Sequence, residues 1–217
     1  MTTAIWTGVA QGISNTVAVT IYGFLLGAIF GVPVLMLRNS NVLVARWTGR
    51  ALIEIVRGVP MLVWLFLIYN GPTQFDPRLS SVFTSWSASV IALGLISSVY
   101  IAEIYRGSLK AIHGGQWEAS HALGMSGFDT VTRVIAPQVV RVAIPTLATY
   151  GISLLKDSSL VSTIGVFEIT YYATTLSAET SSPAPFFAAG AYYLMITIPA
   201  VWGARRLDRR LRGKVVR

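Results

Sequence analysis

Two pairs of polar side chains interrupt apolar stretches of this sequence, and they are the residues best suited to bind a small charged solute. Tyr100 and Glu103 lie near the end of one stretch, and Lys156 and Asp157 close another. Ionisable residues are costly inside a membrane and usually face a cavity or a partner. Glu103 could therefore pair with the ammonium group of a ligand, and Lys156 with Asp157 could line a pore and meet both charged ends of a zwitterion.

These side chains also have structural interpretations. Glu103 precedes Arg106 by three residues, the spacing of neighbours on a helix face, so the two could form an ion pair. The lysine–aspartate pair could instead clamp neighbouring subunits together. Glu54 and Arg57 share the three-residue spacing, and their position beside the inner membrane surface favours a structural pair.

The sequence does not arrange its side chains for catalysis or metal binding. His113 and His121 lack the further ligands that a metal site needs, and the serines have no histidine and aspartate placed to activate them. The absence of cysteine excludes thiolate metal sites and disulfides. A phosphate-binding loop of the GxxxxGK(S/T) type is also absent. We therefore expect a non-catalytic chain that holds no metal or cofactor of its own.

Composition predicts the elements that position these residues. Hydrophobic residues make up 53% of the 217 positions and charged residues only 12%, with a mean hydropathy of +0.62, whereas a soluble domain carries about 25% charge. The sequence therefore predicts an all-α integral membrane protein. Because one spanning helix needs about 20 apolar residues, residues 1–217 form a single transmembrane domain without room for a sizeable soluble one.

Apolar runs predict five transmembrane helices. The first run contains Gly23, Gly27 and Gly31, whose spacing of four lets another helix approach closely in lipid. The turn sequence Asn-Gly-Pro at residues 70–72 predicts the end of the second. Residues 158–185 are long for a structureless loop, so we expect a short helix there or packing against the spans. The predicted spans are residues 13–37, 51–69, 82–105, 134–155 and 186–204.

The basic residues predict the orientation of these spans. With five spans, 15 of the 17 lysines and arginines fall on one side, and only Arg78 and Lys156 fall on the other. Since positively charged loops stay in the cytoplasm, the amino terminus is predicted outside and the carboxyl terminus inside. The net charge of +8 does not indicate nucleic-acid binding, because seven basic residues lie in the tail 205–217, directly after an apolar span. Such a tail is typical of a cytoplasmic anchor at the membrane lipid.

The polar segment 106–133 is too charged to span and is predicted to form a cytoplasmic loop. From residue 116 onward the pattern indicates two short helices. Gly124 is placed to end the first, and Ser126 is placed to cap the second with Asp129 three residues on. Small residues on one face leave a surface that a partner can approach. On these grounds alone the loop could also be an ordinary amphipathic connector.

This segment resembles the EAA loop of permease subunits in binding-protein-dependent ABC importers. Three of the motif's positions carry small or apolar replacements, at Ser120, Val134 and Ala136, while the spacing from glutamate to glycine to proline is intact. The positions of the motif are filled by Glu118, Ala119, Ser120, Gly124, Val134, Ala136 and Pro137.

Three further motifs narrow the resemblance to the polar amino-acid permease subfamily. In the first motif, which is usually Arg-Gly-Thr-Pro, Val59 replaces the threonine. Together with the EAA loop they cover about residues 53–165 in order. The three segments are Arg57-Gly58-Val59-Pro60 with the apolar residues after it, Ala102 to Gly107, and Ser153 to Leu160 followed by Ile164-Gly165-Val166.

The resemblance implies a transport role in the bacterial inner membrane. Two such subunits, identical or sister chains, form a pore, and an extracytoplasmic substrate-binding protein delivers the amino acid. Glu118, Ala119, Ser120 and Gly124 would dock an ATPase subunit, which binds the ATP and magnesium. Two alternatives stay open from the residues: a passive channel or membrane scaffold, and the same importer fold carrying another small polar solute such as an opine.

Overall fold

The computed structural model describes residues 2–212, which form α-helices joined by short turns. Residues 213–217, the end of the predicted basic tail, lie outside this part. The first five helices are α1 (Thr2–Ala10), α2 (Ile13–Arg38), α3 (Leu43–Gly58), α4 (Met61–Phe75) and α5 (Ser85–Lys110). They are followed by α6 (Gly114–Ala122), α7 (Gly127–Asp129), α8 (Ala136–Asp157), α9 (Ile169–Thr180) and α10 (Ala184–Arg212). No strand occurs within residues 2–212, in agreement with the all-α prediction.

Several of these helices are long and apolar enough to cross a membrane. Within the described residues the continuous candidates are Thr3–Arg38, Ser85–Lys110, Gly127–Ile164 and Ala184–Arg210. The bent pair α3 and α4 makes a fifth if it is counted as one broken span. The structure therefore has four or five candidate crossings.

The predicted second span, residues 51–69, is wrong as a continuous helix. The chain bends by 98° between α3 and α4. Pro60 is the cause, because its ring disfavours a helical conformation at the preceding residue, and Val59 is extended at φ −96° and ψ 129°. The bend is closed by Trp64, whose indole N–H donates to the Val56 carbonyl at 3.1 Å.

Other predicted boundaries also shift. Pro72 lies inside α4, which continues to Phe75, so the helix end predicted at residues 70–72 is wrong. The third span is found at Ser85–Lys110 instead of 82–105, capped by the Thr84 side chain, so the polar loop is shorter than 106–133. The last helix extends well beyond residues 186–204. Residues 158–185 contain a 3₁₀ turn at Ser158–Ile164 and α9, which confirms the helix predicted there.

The α2–α5 pair packs closely at the centre of the fold, and the spaced glycines make this packing possible. A Cβ atom on Gly27 would lie 2.1 Å from the Ser97 Cβ, and one on Gly23 would lie 2.5 Å from the Leu93 Cβ. Both glycines, with Gly31, are buried. The close helix approach predicted from their spacing is therefore confirmed, and it leaves α3, α4 and α8 to pack around a fixed pair.

Candidate functional site

Three polar cavities lie along one side of α8. Their volumes are about 460, 490 and 510 Å³. The first two share Arg57 and Tyr100 in their walls. Thr146 lines both the second and the third cavity, and Ser153 lines both the first and the third. α8 therefore contributes wall residues to all three cavities, which together form a polar region bordered by α3, α5 and α10.

A stacked column of side chains forms one wall of this region. The Arg57 guanidinium carbon lies 4.7 Å from the centre of the Tyr100 ring, a distance at which the aromatic face attracts a cation. Tyr100 in turn stacks on Tyr150, with ring centres 5.5 Å apart and planes inclined by 18°. Tyr150 is anchored by a 3.0 Å hydrogen bond between its hydroxyl and that of Ser97. The column holds the guanidinium at the 460 Å³ cavity.

Asp157 lies on this same cavity, which gives it a carboxylate as well as a guanidinium. Lys156 lies instead on the 510 Å³ cavity with Arg205 and Asp208. Consecutive helix residues point about 100° apart, since a turn takes 3.6 residues. Lys156 and Asp157 therefore line different cavities, and Arg57 is the cation that shares a cavity with Asp157. The joint role of Lys156 and Asp157 toward a zwitterion stays a prediction.

Sequence reasoning missed Arg57 as a site residue because it assigned Arg57 to an ion pair with Glu54. Within the described residues Glu54 and Arg57 form no ion pair, so that prediction is wrong. On an isolated helix the three-residue spacing permits the pair, but the Tyr100 ring, on α5, attracts the guanidinium to the cavity side. The bend after Gly58 was the missing signal, because it places the end of α3 beside the polar region.

Glu103 forms the structural pair that its spacing allowed. The Arg106 Nε donates to both carboxylate oxygens of Glu103 at 3.0 Å, and the Arg38 Nε lies 4.0 Å from Oε1. The Glu103 side chain is 24% exposed and borders the 490 Å³ cavity with Arg57. The carboxylate therefore already has two guanidinium partners, and its role toward a ligand stays a prediction.

The loop between α5 and α8 has the conformation predicted from its glycine and serine. Gly124 adopts a left-handed φ of 69°, and the N–H groups of Gly124 and Met125 donate to the carbonyls of His121 and Ser120. This bond pair is the Schellman ending of a helix. The Ser126 hydroxyl oxygen then accepts from the Asp129 N–H at 3.1 Å, which confirms the cap.

The loop presents a mixed surface to a partner. Glu118, Ala119 and Gly124 are exposed, whereas Ser120 is buried and donates its hydroxyl hydrogen to the Gln116 carbonyl. Sequence reasoning missed two large apolar side chains next to the turn, Leu123 at 80% and Phe128 at 76% exposure. Their position in a polar loop was a signal available from the sequence, since exposed apolar patches mark interaction surfaces.

The same loop is connected directly to α8. The Gln138 side-chain amide donates to Gln116 Oε1 at 3.2 Å and to the Val134 carbonyl at 2.9 Å. Between α7 and α8 the chain forms a π-helical turn, Thr130–Ile135, an irregularity that often occurs at functional sites. The Gln116–Gln138 hydrogen bond therefore joins α6 to the helix that lines the cavities.

Glu168 is a fully buried carboxylate at the other end of the molecule, and sequence reasoning missed it. It accepts hydrogen bonds from the Tyr193 hydroxyl and the Tyr171 N–H, each at 2.8 Å, and its Oε2 lies 3.4 Å from the Thr16 hydroxyl oxygen. Burial raises the pKa of Glu168, and the hydrogen bonds only partly oppose that shift. The side chain fastens α2, α9 and α10 together.

Comparisons with known proteins place this geometry in a family context. The model of the family "binding-protein-dependent transport system inner membrane component" matches residues 6–213. The nopaline transport system permease protein NocM of Agrobacterium fabrum is 35% identical over 192 residues, covering 85% of this chain and 80% of NocM. The L-cystine transport system permease protein TcyB of Bacillus subtilis is 36% identical over 174 residues, covering 80% and 73%.

Solved structures share the arrangement of helices. A chain from the crystal structure of an amino acid ABC transporter with histidines superposes with a TM-score of 0.85 at 31% identity, covering 94% of both chains. A chain of the inward-facing MetNI methionine ABC transporter superposes with a TM-score of 0.79 at 18% identity, covering 94% of this chain and 96% of the other. The second likeness concerns the fold alone.

Proposed function

The chain belongs to the family of binding-protein-dependent transport system inner membrane components, and from this membership we propose that it forms the transmembrane pore of an ATP-driven importer for polar amino acids. Its relatives include permeases named for nopaline and L-cystine transport, and its fold matches that of an amino acid ABC transporter. The chain is a membrane protein of the bacterial inner membrane and carries cargo without chemical change.

The observation that supports this function most strongly is the cavity that Arg57 and Asp157 share. A free amino acid carries a carboxylate and an ammonium at neutral pH. A guanidinium forms paired, charge-assisted hydrogen bonds with a carboxylate, and a carboxylate accepts from an ammonium. We propose that Arg57 and Asp157 hold the two charged ends of the cargo, and that Tyr100 keeps Arg57 in place. Glu103 and Lys156 border the adjoining cavities along the same path.

The loop around Gly124 is proposed to dock a partner ATPase subunit and to couple its ATP hydrolysis to movement of the permease. Glu118 offers a charge and Ala119 a flat surface, while Leu123 and Phe128 offer apolar area. Ser120 and Gly124 shape the loop from within, as the buried hydroxyl and the left-handed turn indicate. The Gln116–Gln138 hydrogen bond supports a direct mechanical connection from this loop to α8.

The remaining parts of the importer are proposed to come from other chains. An ATPase subunit binds ATP and magnesium, and an extracytoplasmic binding protein delivers the cargo. A second permease subunit, identical or a sister chain, completes the pore. The distribution of basic residues supports an amino terminus outside and a carboxyl terminus inside the cell, which would place the EAA-like loop on the side of the ATPase.

Uptake by the reconstituted transporter tests the proposal. The full complex in proteoliposomes, with its binding protein outside and ATP inside, is offered radiolabelled polar amino acids and nopaline. We expect saturable uptake that stops when ATP is replaced by a non-hydrolysable analogue. Uptake that continues down a gradient without ATP hydrolysis would identify a passive channel, and uptake of nopaline alone would change the cargo while keeping the pore.

A further inference from the structure

The carboxyl-terminal part of α10 carries a basic surface, of which only Arg205 also lines a cavity beside α8. Arg206 and Arg209 are exposed there, and the same is true of Arg205. Together with Trp202, which is 63% exposed, the three arginines surround a recess of about 190 Å³. Four residues line this recess, and none of the four is acidic.

The recess lies at the end of an apolar stripe on the same helix face. Met195 and Ile198 are 61% and 48% exposed, and positions 195, 198, 202, 206 and 209 follow the three- and four-residue spacing of one helix face. At 1.5 Å per residue, Arg206 and Arg209 lie about 6 and 10 Å beyond Trp202 along the axis. One face of α10 thus changes in order from apolar side chains to an indole and then to guanidinium groups.

The opposite face of α10 is the one that meets the transport region. Val201, Ala204 and Asp208 are partly buried and line the 510 Å³ cavity against α8. Arg205 borders both that cavity and the recess, whereas Arg206 and Arg209 border the recess only. The two latter arginines therefore lie on the face of α10 that points away from α8.

We propose that Trp202, Arg205, Arg206 and Arg209 bind the phosphate headgroup of an anionic phospholipid. Guanidinium groups bind phosphate oxygens in pairs, and tryptophan prefers the level of the headgroups. The apolar stripe through Met195 and Ile198 accommodates the acyl chains, which a free phosphate ion would not need. Basic residues at this depth attract anionic lipid with about 1 kcal/mol each, or about a fivefold change in affinity.

Native mass spectrometry of the full chain in detergent tests this site. The protein is titrated with phosphatidylglycerol and, separately, with phosphatidylcholine of the same acyl chains. We expect selective retention of phosphatidylglycerol, a reduction of about fivefold in Arg206→Gln and in Arg209→Gln, and about 25-fold in the double variant. Arg78→Gln removes the same charge from the turn after α4 and should leave retention unchanged. An excess of inorganic phosphate should not displace the lipid.

Three results would overturn the proposal. Equal retention of the two lipids would show that the protein has no headgroup preference. Unchanged retention in the double variant would show that Arg206 and Arg209 do not bind the lipid. Loss of ATPase co-purification in the double variant, with lipid retention intact, would assign the surface to a protein partner. Lipid retention is measured without ATP or cargo. The lipid-site proposal can therefore be refuted while the proposed transport function holds, and the transport function can be refuted while the lipid site holds.

Discussion

Removing the negative charge of Asp157 while keeping the shape of its side chain should weaken cargo transport. In Asp157→Asn an amide replaces the carboxylate that shares a cavity with Arg57. A hydrogen bond to a charged group contributes about 1.5–3 kcal/mol. Asp157 is exposed within the single chain, so solvent screening favours the lower end of that range. A loss of about 1.5 kcal/mol corresponds to a reduction of about tenfold in transport at subsaturating cargo.

The adjacent lysine, which borders the adjoining cavity on the proposed path, provides a matched comparison for which we expect a smaller loss. Lys156→Gln also removes one charge, one residue earlier on α8, but its side chain borders the 510 Å³ cavity instead. Initial uptake rates in proteoliposomes, at one concentration of binding protein and of radiolabelled amino acid, compare the two variants. ATPase docking, measured by co-purification, should be normal in both. If Lys156→Gln lowers uptake as much as Asp157→Asn, the assignment of the two side chains to different cavities has failed.

Three further predictions concern the loop, the helix core and the buried carboxylate. Glu118→Lys should abolish ATP-dependent uptake and ATPase co-purification while membrane insertion persists. Glu179→Lys on α9, the control, should leave both uptake and co-purification unchanged. Normal uptake in Glu118→Lys would contradict the docking role. Gly27→Val should lower the thermal unfolding temperature, because even a Cβ at this position would lie 2.1 Å from the Ser97 Cβ. Such overpacking costs about 1–3 kcal/mol. An unchanged unfolding temperature would show that α2 and α5 can separate at no cost. Because burial raises the pKa of Glu168 in the fold above the usual value of 4.5, its contribution to stability is full below the unfolded-state value and is lost as pH rises through the raised pKa. Glu168→Gln should therefore flatten this decline in unfolding temperature, and an identical pH profile would show that another group titrates.

Local chemistry decides which parts of this fold can be predicted from sequence. The glycine at position 124 and the serine at 126 act on their own turn, and their hydrogen bonds follow within a few residues. Glycine spacing on α2 predicts close packing because spacing alone determines which face a helix presents. Apolar length likewise predicts five spans, and the described residues contain four continuous candidates and one bent pair.

The parts that sequence reasoning missed depend on contacts between distant segments. Arg57 turns toward Tyr100, which lies on another helix, so its three-residue spacing from Glu54 was misleading. Asp157 and Lys156 are adjacent in sequence, yet Asp157 lines a cavity walled in part by α3, and Lys156 lines one walled in part by α10. Glu168 meets Thr16 across 152 positions, and no local pattern marks that contact.

Under the proposed function, α8 is the element that links the docking loop to the cargo. One end of α8 is bonded to the docking segment through Gln138 and Gln116, and the other end carries Asp157 at the cavity. Pro145 lies inside α8, where a proline removes one backbone hydrogen bond and favours a kink. Arg57 sits on α3, which packs against α2 and α5. In the proposed mechanism, a movement of α8 shifts the Asp157 carboxylate relative to the Arg57 guanidinium and so releases a zwitterion held between them.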